Sequence, residues 1–228
     1  MTLSNTLKNR SVNSVKAYQI RISIKGSRPL IWRRVIIPAD VTFKRLHDTL
    51  QLAMGWYDYH LHEFEFKDLK LRITNNEEVY EEYRYFRSAE GKKRLAEMKN
   101  SKFMPNLSIE VRKSDNTKID KYIEQCKTFA YIYDFGDWWE HKIEIEQITQ
   151  DYKFGYPTIL DGQGACPPED CGGMGGYENF LEAWNDENNE EHESMREWGE
   201  IQNYREFDIN SKNSLLKECL KLKKVSKS

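Results

Sequence analysis

The sequence predicts an α+β domain: an antiparallel sheet of hairpins, with a helix packed after the first hairpin and a helical C-terminal segment. Three observations lead there. Residues 16–24 and 138–147 alternate apolar with polar side chains, the period of a strand with one buried face. Residues 43–54 repeat apolar side chains at helical spacing. Strand-like stretches come first and helix-like ones last, the order of α+β rather than of alternating α/β.

In chain order, Tyr18, Ile20, Ile22 and Ile24 form the apolar side of a first strand, opposite Gln19, Arg21 and Ser23. Gly26-Ser27-Arg28-Pro29 is a turn, and residues 30–37 are a second strand that Pro38 stops. Thr42 has the character of an N-cap. Phe43, Leu46, Leu50, Ala53 and Met54 follow as a stripe, and Gly55 stands where a helix ends. Residues 59–66 are expected as a strand with His60, His62, Phe64 and Phe66 on one face. Residues 67–115 form a charged insertion with one expected helix at 90–99. A short helix near 119–126 leads to a hairpin, 129–134 and 138–147, around Phe135-Gly136-Asp137. On its second strand Trp139, His141, Ile143 and Ile145 share a face. Residues 158–176, TILDGQGACPPEDCGGMGG, are expected as a long loop, and 177–184, 190–198 and 210–223 as helices. Residues 1–14 are expected to be a flexible N-terminus, 15–224 a single domain and 225–228 a basic tail.

Composition narrows the function classes. The chain has 13% aromatic residues, too many for a disordered chain, and 228 residues suffice for a real core. No apolar run approaches the roughly 18 residues of a membrane span, and residues 1–14 lack a signal peptide's apolar region, so a cytoplasmic, non-membrane protein is expected. The four cysteines do not form a secreted disulfide framework, and Cys166 and Cys171 lack zinc-ribbon spacing. No phosphate-binding loop or nucleophile elbow occurs, which argues against ATP or GTP binding and against a serine triad. Charge is unevenly spread. Residues 1–45 carry ten Lys/Arg against one Asp, and residues 161–208 carry fourteen Asp/Glu against two Arg. The basic block is either a footprint for nucleic acid or the partner of the acidic block within one fold.

Three stretches concentrate chemistry. In GWYDYHLHEFEF, His60 and His62 stand two apart, so on a strand both imidazoles face one way, able to share a metal or to sit in the core. In YDFGDWWEH, Asp134 and Asp137 flank a tight turn ahead of His141, either as ligands or as turn builders. In CPPEDCGGMGG, Glu169 and Asp170 follow two prolines and form a rigid acidic turn.

With RPLIWRRVIIP and TFKRLHDTLQLAMGWYDYHLHEFEF, these stretches resemble the Ri-plasmid open-reading-frame-three-like family over roughly residues 16–209. Some of its members are labelled passenger proteins of insertion elements and carry a resolvase-style name. The resemblance implies a compact α+β domain and, for some members, an association with mobile DNA. Its shared motifs map onto His60, His62, Asp134, Gly136, Asp137, His141, Pro167, Pro168, Glu169, Asp170, Gly172 and Gly173. The insertion at 67–115 and the lysine-rich tail depart from shorter relatives. Neither a serine-recombinase nor a tyrosine-recombinase constellation is recognisable.

Three expectations follow. In the first, a binding module acts on nucleic acid or a protein partner through its charged faces, with Arg33, Arg34, Lys44 and Arg45 on phosphate. In the second, a metal-dependent hydrolase of the phosphodiesterase or nuclease kind uses a divalent metal such as zinc. His60, His62 and His141 are then ligands, and Asp134, Asp137, Glu169 and Asp170 are the catalytic candidates. In the third, the motifs only specify the fold, with Trp32, Trp56, Trp138 and Trp139 as aromatic anchors.

Overall fold

The computed structural model describes residues 14–98 and 104–220. The expected basic tail, nearly all of the expected flexible N-terminus, and the ends of the helices expected at 90–99 and 210–223 lie outside the described residues.

Eight strands form one sheet in the order β5-β4-β3-β6-β7-β1-β2-β8. They are β1 (Val15–Ile24), β2 (Trp32–Pro38), β3 (His62–Phe66), β4 (Leu71–Thr74), β5 (Glu110–Lys113), β6 (Thr128–Tyr133), β7 (Trp139–Tyr152) and β8 (Thr158–Gln163). All neighbours are antiparallel except β4 and β5. Six α-helices accompany them among the described residues: α1 (Phe43–Met54), α2 (Glu77–Arg87), α3 (Ala89–Glu97), α4 (Gly173–Asn185), α5 (His192–Ile201) and α6 (Ile209–Cys219). The architecture is α+β with helices towards the C-terminus, as the sequence predicts. No helix among the described residues is long and apolar enough to cross a membrane.

The alternation of β1 and β7 places Ile20, Ile22, Ile24, Trp139, His141 and Ile143 on one buried face. Register carries that face across the sheet, since Phe64 pairs with Tyr131, Tyr131 with His141, and His141 with Ile24. Helix α1 lies over it. Thr42 accepts a hydrogen bond from Arg45 N at 3.3 Å, and Gly55, at φ 123°, ends the helix with its N–H on Gln51 O at 2.7 Å. The stripe buries Phe43, Leu46, Leu50 and Met54, each contributing about 1.5–3 kcal/mol. The Phe43 ring meets those of Phe64 and Phe66 at 5.1 and 5.6 Å.

Three stretches differ from expectation. Residues 158–163, expected within a loop, form β8 at the sheet's edge, where only Ile159 is buried. Asn213 of α6 covers part of that edge, its side chain bonding both Ile159 N and Ile159 O. The 67–115 insertion supplies β4, α2, α3 and β5, two strands of the same sheet rather than a separate excursion. The short helix expected near 119–126 is a pair of 3-10 turns.

The basic block meets β7 more than the acidic run at 161–208, because β1 lies beside β7 in the sheet. Lys25 pairs with Glu140, and Arg34 with Glu146 as well as with Asp161. Trp32 lies between the guanidiniums of Arg21 and Arg34, at 4.7 and 5.3 Å, and Trp56 and Trp139 are buried.

A His–Asp cluster at the end of the central strands

The strand expected at 59–66 begins only at His62. Asp58 adopts a left-handed φ of 59°, and pairing with β6 starts where His62 faces Tyr133. His60 is therefore on a loop, and His62 points into the core. The two imidazoles do not share a face.

Four hydrogen bonds and one close backbone approach draw the chemical stretches together around His60. Asp134 N donates to Leu61 O at 3.0 Å, which sets the Asp134 turn beside the loop. Gly172 N donates to Asp137 Oδ2 at 3.0 Å, docking the CPPEDCGG loop onto the same turn. Gly173 sits so close that a Cβ would fall 2.5 Å from Asp137 O, so a side chain is excluded there. On the other side Trp56 Nε1 donates to Pro167 O at 3.0 Å and Tyr57 N donates to Glu169 Oε1 at 2.8 Å.

The result brings His60 Nε2 to 2.9 Å from Asp170 Oδ1 and 3.7 Å from Asp134 Oδ2. Asp134 is nearly buried and Asp170 largely exposed, so the cluster opens to solvent on one side. Of the six non-glycine residues with positive φ among the described residues, Asp58, Asp134, Trp138 and Asp170 belong to these stretches. Strained backbone gathers where geometry is held for a purpose. His60 Nε2 is withdrawn from solvent and makes no hydrogen bond, since its short approach to Asp170 is not aligned for one. Ligand bonds of about 2.1 Å set neighbouring ligand atoms about 3.0–3.4 Å apart, close to the two His60 separations. One imidazole and two carboxylates would balance a divalent charge and suit zinc, iron or manganese.

The remaining candidates have other surroundings. His62 is fully buried and stacked on His47, ring centres 3.7 Å apart and 12° from parallel. Neither of its nitrogens has a hydrogen-bond partner. Burial, aided by the nearby Lys44 charge, pushes its pKa down to about 2. His141 is buried as well, with Nδ1 on Trp139 O and Tyr131 O at 2.9 and 3.2 Å, and burial lowers it to about 4. Asp134 also builds its turn, with Gly136 N donating to Oδ1 at 2.8 Å. Glu169 is buried. Burial raises its pKa, and Tyr57 N and the Tyr133 hydroxyl occupy its oxygens. It holds the loop in place.

His47, absent from the sequence-level candidates, anchors a second network. Its Nε2 donates to Asp58 Oδ1 at 2.6 Å, and its Nδ1 accepts from the Tyr131 hydroxyl at 2.8 Å. Burial lowers His47, against the pull of Asp58. Burial would raise Asp58, but hydrogen bonds from His47 and Lys44 outweigh it and hold the carboxyl below its usual range. The pair is thus a neutral imidazole donating to a carboxylate. His47, Asp58 and His62 also bring ligand-type atoms within 4.8 Å of one another. Stacked rings, however, aim their in-plane lone pairs side by side rather than at one point. The signal for His47 was present in the sequence: it interrupts the apolar stripe of α1, and a polar residue on a buried face is the informative kind.

The four cations expected on phosphate are dispersed. Arg33 is 1% exposed and donates to the carbonyls of Ala53, Trp32, Gln163 and Gly164, which keeps it from the surface. Arg34 is paired as above, and Lys44 holds Asp48 and Asp58 at 2.6 and 2.9 Å. Arg45 is half-buried in the first turn of α1.

Fold and cluster define an α+β protein with an eight-stranded sheet and a His–Asp cluster at the end of its central strands. The chain belongs to the plasmid pRiA4b ORF-3-like family, whose model matches residues 16–214. It is 31% identical over 182 residues to the uncharacterized protein y4hQ of Sinorhizobium fredii, covering 79% of each chain. A crystal structure of a protein of unknown function, MM3350 of Methanosarcina mazei Go1, superposes with a TM-score of 0.65 at 33% identity. That match covers 86% of this chain and 97% of the other.

Proposed function

We propose that the chain is a metal-dependent hydrolase of the phosphodiesterase or nuclease kind, with His60, Asp134 and Asp170 holding one divalent cation. The observation that carries this reading is the His60 nitrogen, shielded from water, without a hydrogen bond, and set against two carboxylate oxygens from two other stretches. A cation there would polarise a phosphoryl oxygen and make a bound water nucleophilic near neutral pH. Asp134 and Asp170 supply negative charge, and their left-handed backbones fix where it points. Glu169 acts as a positioning residue through Tyr57 and Tyr133. Tyr57, Tyr59 and Trp138, which are 45%, 73% and 55% exposed, flank the cluster in sequence and offer planar faces to bases. Nucleic-acid contact is therefore assigned to these aromatic faces, because Arg33, Arg34 and Lys44 are engaged within the fold.

The test is hydrolysis of bis(p-nitrophenyl) phosphate and of single-stranded DNA with manganese, zinc or magnesium added. Activity that chelator removes, and that Asp134→Asn and His60→Ala each lower at least about a hundredfold, is expected. Hydrolysis that survives chelation, or that both variants retain, contradicts the reading.

A further inference from the structure

A second site lies apart from the His–Asp cluster. A cavity of about 280 Å³ opens between the C-terminal end of α1, the CPPEDC loop and the segment joining α5 to α6. Three cations line it, of which Arg205 is exposed and donates to Tyr204 O. Arg33 is buried, and the Lys212 ammonium reaches over the end of α1, where a Cβ on Gly55 would come within 2.7 Å of its Nζ.

Among the described residues, neither Arg33 nor Lys212 makes a salt bridge to a carboxylate. The titratable groups acting on Lys212 are the Cys166 thiol and Arg33 itself, and those acting on Arg33 reduce to Cys166. Burial raises that thiol to about 12, so it is neutral. Of the carboxylates of the wall, Glu169 holds Tyr57 and Tyr133, Asp208 accepts the N–H groups of Asn210 and Ser211, and Glu206 is exposed and pairs with neither Arg33 nor Lys212. The end of α1 offers roughly half a negative charge, too little to offset two full positive ones. Burial accordingly lowers both cations, Arg33 to about 10.

Donors are also left over. Four of Arg33's five N–H groups meet backbone carbonyls, leaving one, and the Lys212 ammonium has no hydrogen-bond partner among the described residues. A pocket holding two cations without an ion-pair partner, free donors and an aromatic wall at Phe207, 3.9 Å from the Arg33 guanidinium, has the chemistry of an anion receptor.

We infer that this cavity binds a small anion, carrying a carboxylate or a phosphate group, on Lys212 and Arg33. The volume suits a compact metabolite, just below the roughly 300–1,000 Å³ of drug-sized pockets. The inference is independent of the cation cluster, since no residue that would hold the cation takes part.

The test is calorimetric titration of the full chain at low ionic strength with inorganic phosphate and, separately, with succinate. The stronger of the two identifies the anionic group. Saturable one-site binding of at least one is expected, weakened about tenfold or more in Lys212→Met and largely restored in Lys212→Arg. Melting of the unliganded proteins separates this from a purely structural role. Removing an uncompensated charge should leave Lys212→Met at least as stable as wild type. A drop of about 4 °C or more would instead assign Lys212 to capping α1 and overturn the inference. So would wild type that binds neither anion up to about 20 mM, or Lys212→Met that binds as wild type does.

Discussion

His60 and His62 are two residues apart in one motif, yet they occupy opposite environments. His60 is on a loop, its side chain 28% exposed, beside Asp134 and Asp170. His62 is wholly buried on β3, stacked on His47 with both nitrogens unpaired. The cause is local. Asp58 turns left-handed, Asn75 Oδ1 accepts the His62 N–H at 2.8 Å, and strand pairing begins at His62 rather than earlier. The difference teaches that side-chain spacing assigns a histidine its chemistry only once the strand's first paired residue is known. A shift of two residues separates a ligand-type imidazole from a permanently neutral core ring.

The largest expected effect tests that neutrality through pH. His62 and His141 have folded values of about 2 and about 4, below the usual histidine value of roughly 6.5. Above that value both are neutral in either state and contribute no pH dependence. As pH falls below it, the unfolded chain takes up protons that the folded chain refuses, so stability declines. Each histidine contributes about 1.4 kcal/mol per pH unit within this window, and His47 moves in the same direction. Glu63 and Glu169, raised by burial, act with the opposite sign nearer their own ordinary range. Urea unfolding at pH 6.5 and 4.5 should therefore lose about 4 kcal/mol from His62 and His141. A flat profile would show that these rings protonate in the native state.

Next in size is His47→Phe, which takes one hydrogen bond from Asp58 and leaves the Tyr131 hydroxyl proton without its acceptor, and should cost about 2–4 kcal/mol in equilibrium unfolding at pH 7.5. Smallest is His62→Phe, which removes two unpaired buried nitrogens and should stay within about 1 kcal/mol of wild type at that pH. Equal losses in the two variants would abolish the distinction between the networked ring and the stacked one. His62→Phe should also remove about half of the combined His62 and His141 pH slope.

How far the sequence disclosed this arrangement depended on the signal each segment carried. Helix α1 was legible because Thr42, the Phe43–Met54 stripe and Gly55 all agree. The first hairpin and β7 were legible because isoleucines alternate with charged residues. Strand β8 was not, since it buries Ile159 alone and reads Asp161-Gly162 where a turn would. Strands β4 and β5 have four residues each, too few to show a period. Within the site, Asp134, Asp170 and His60 were legible as residue types, but their meeting depends on the Asp137–Gly172 contact between stretches far apart in sequence. His47 carried a signal of its own, a polar residue within the apolar stripe of α1, but its partners Asp58 and Tyr131 come from other stretches and only the fold brings them to it.

The most direct test of the central distinction is cation content. It is measured by equilibrium dialysis against manganese or zinc followed by elemental analysis, on wild type, His60→Ala and His62→Phe side by side. The account predicts about one equivalent in wild type and in His62→Phe, and loss in His60→Ala. No retained cation in wild type, or a cation kept by His60→Ala and lost by His62→Phe, would contradict it.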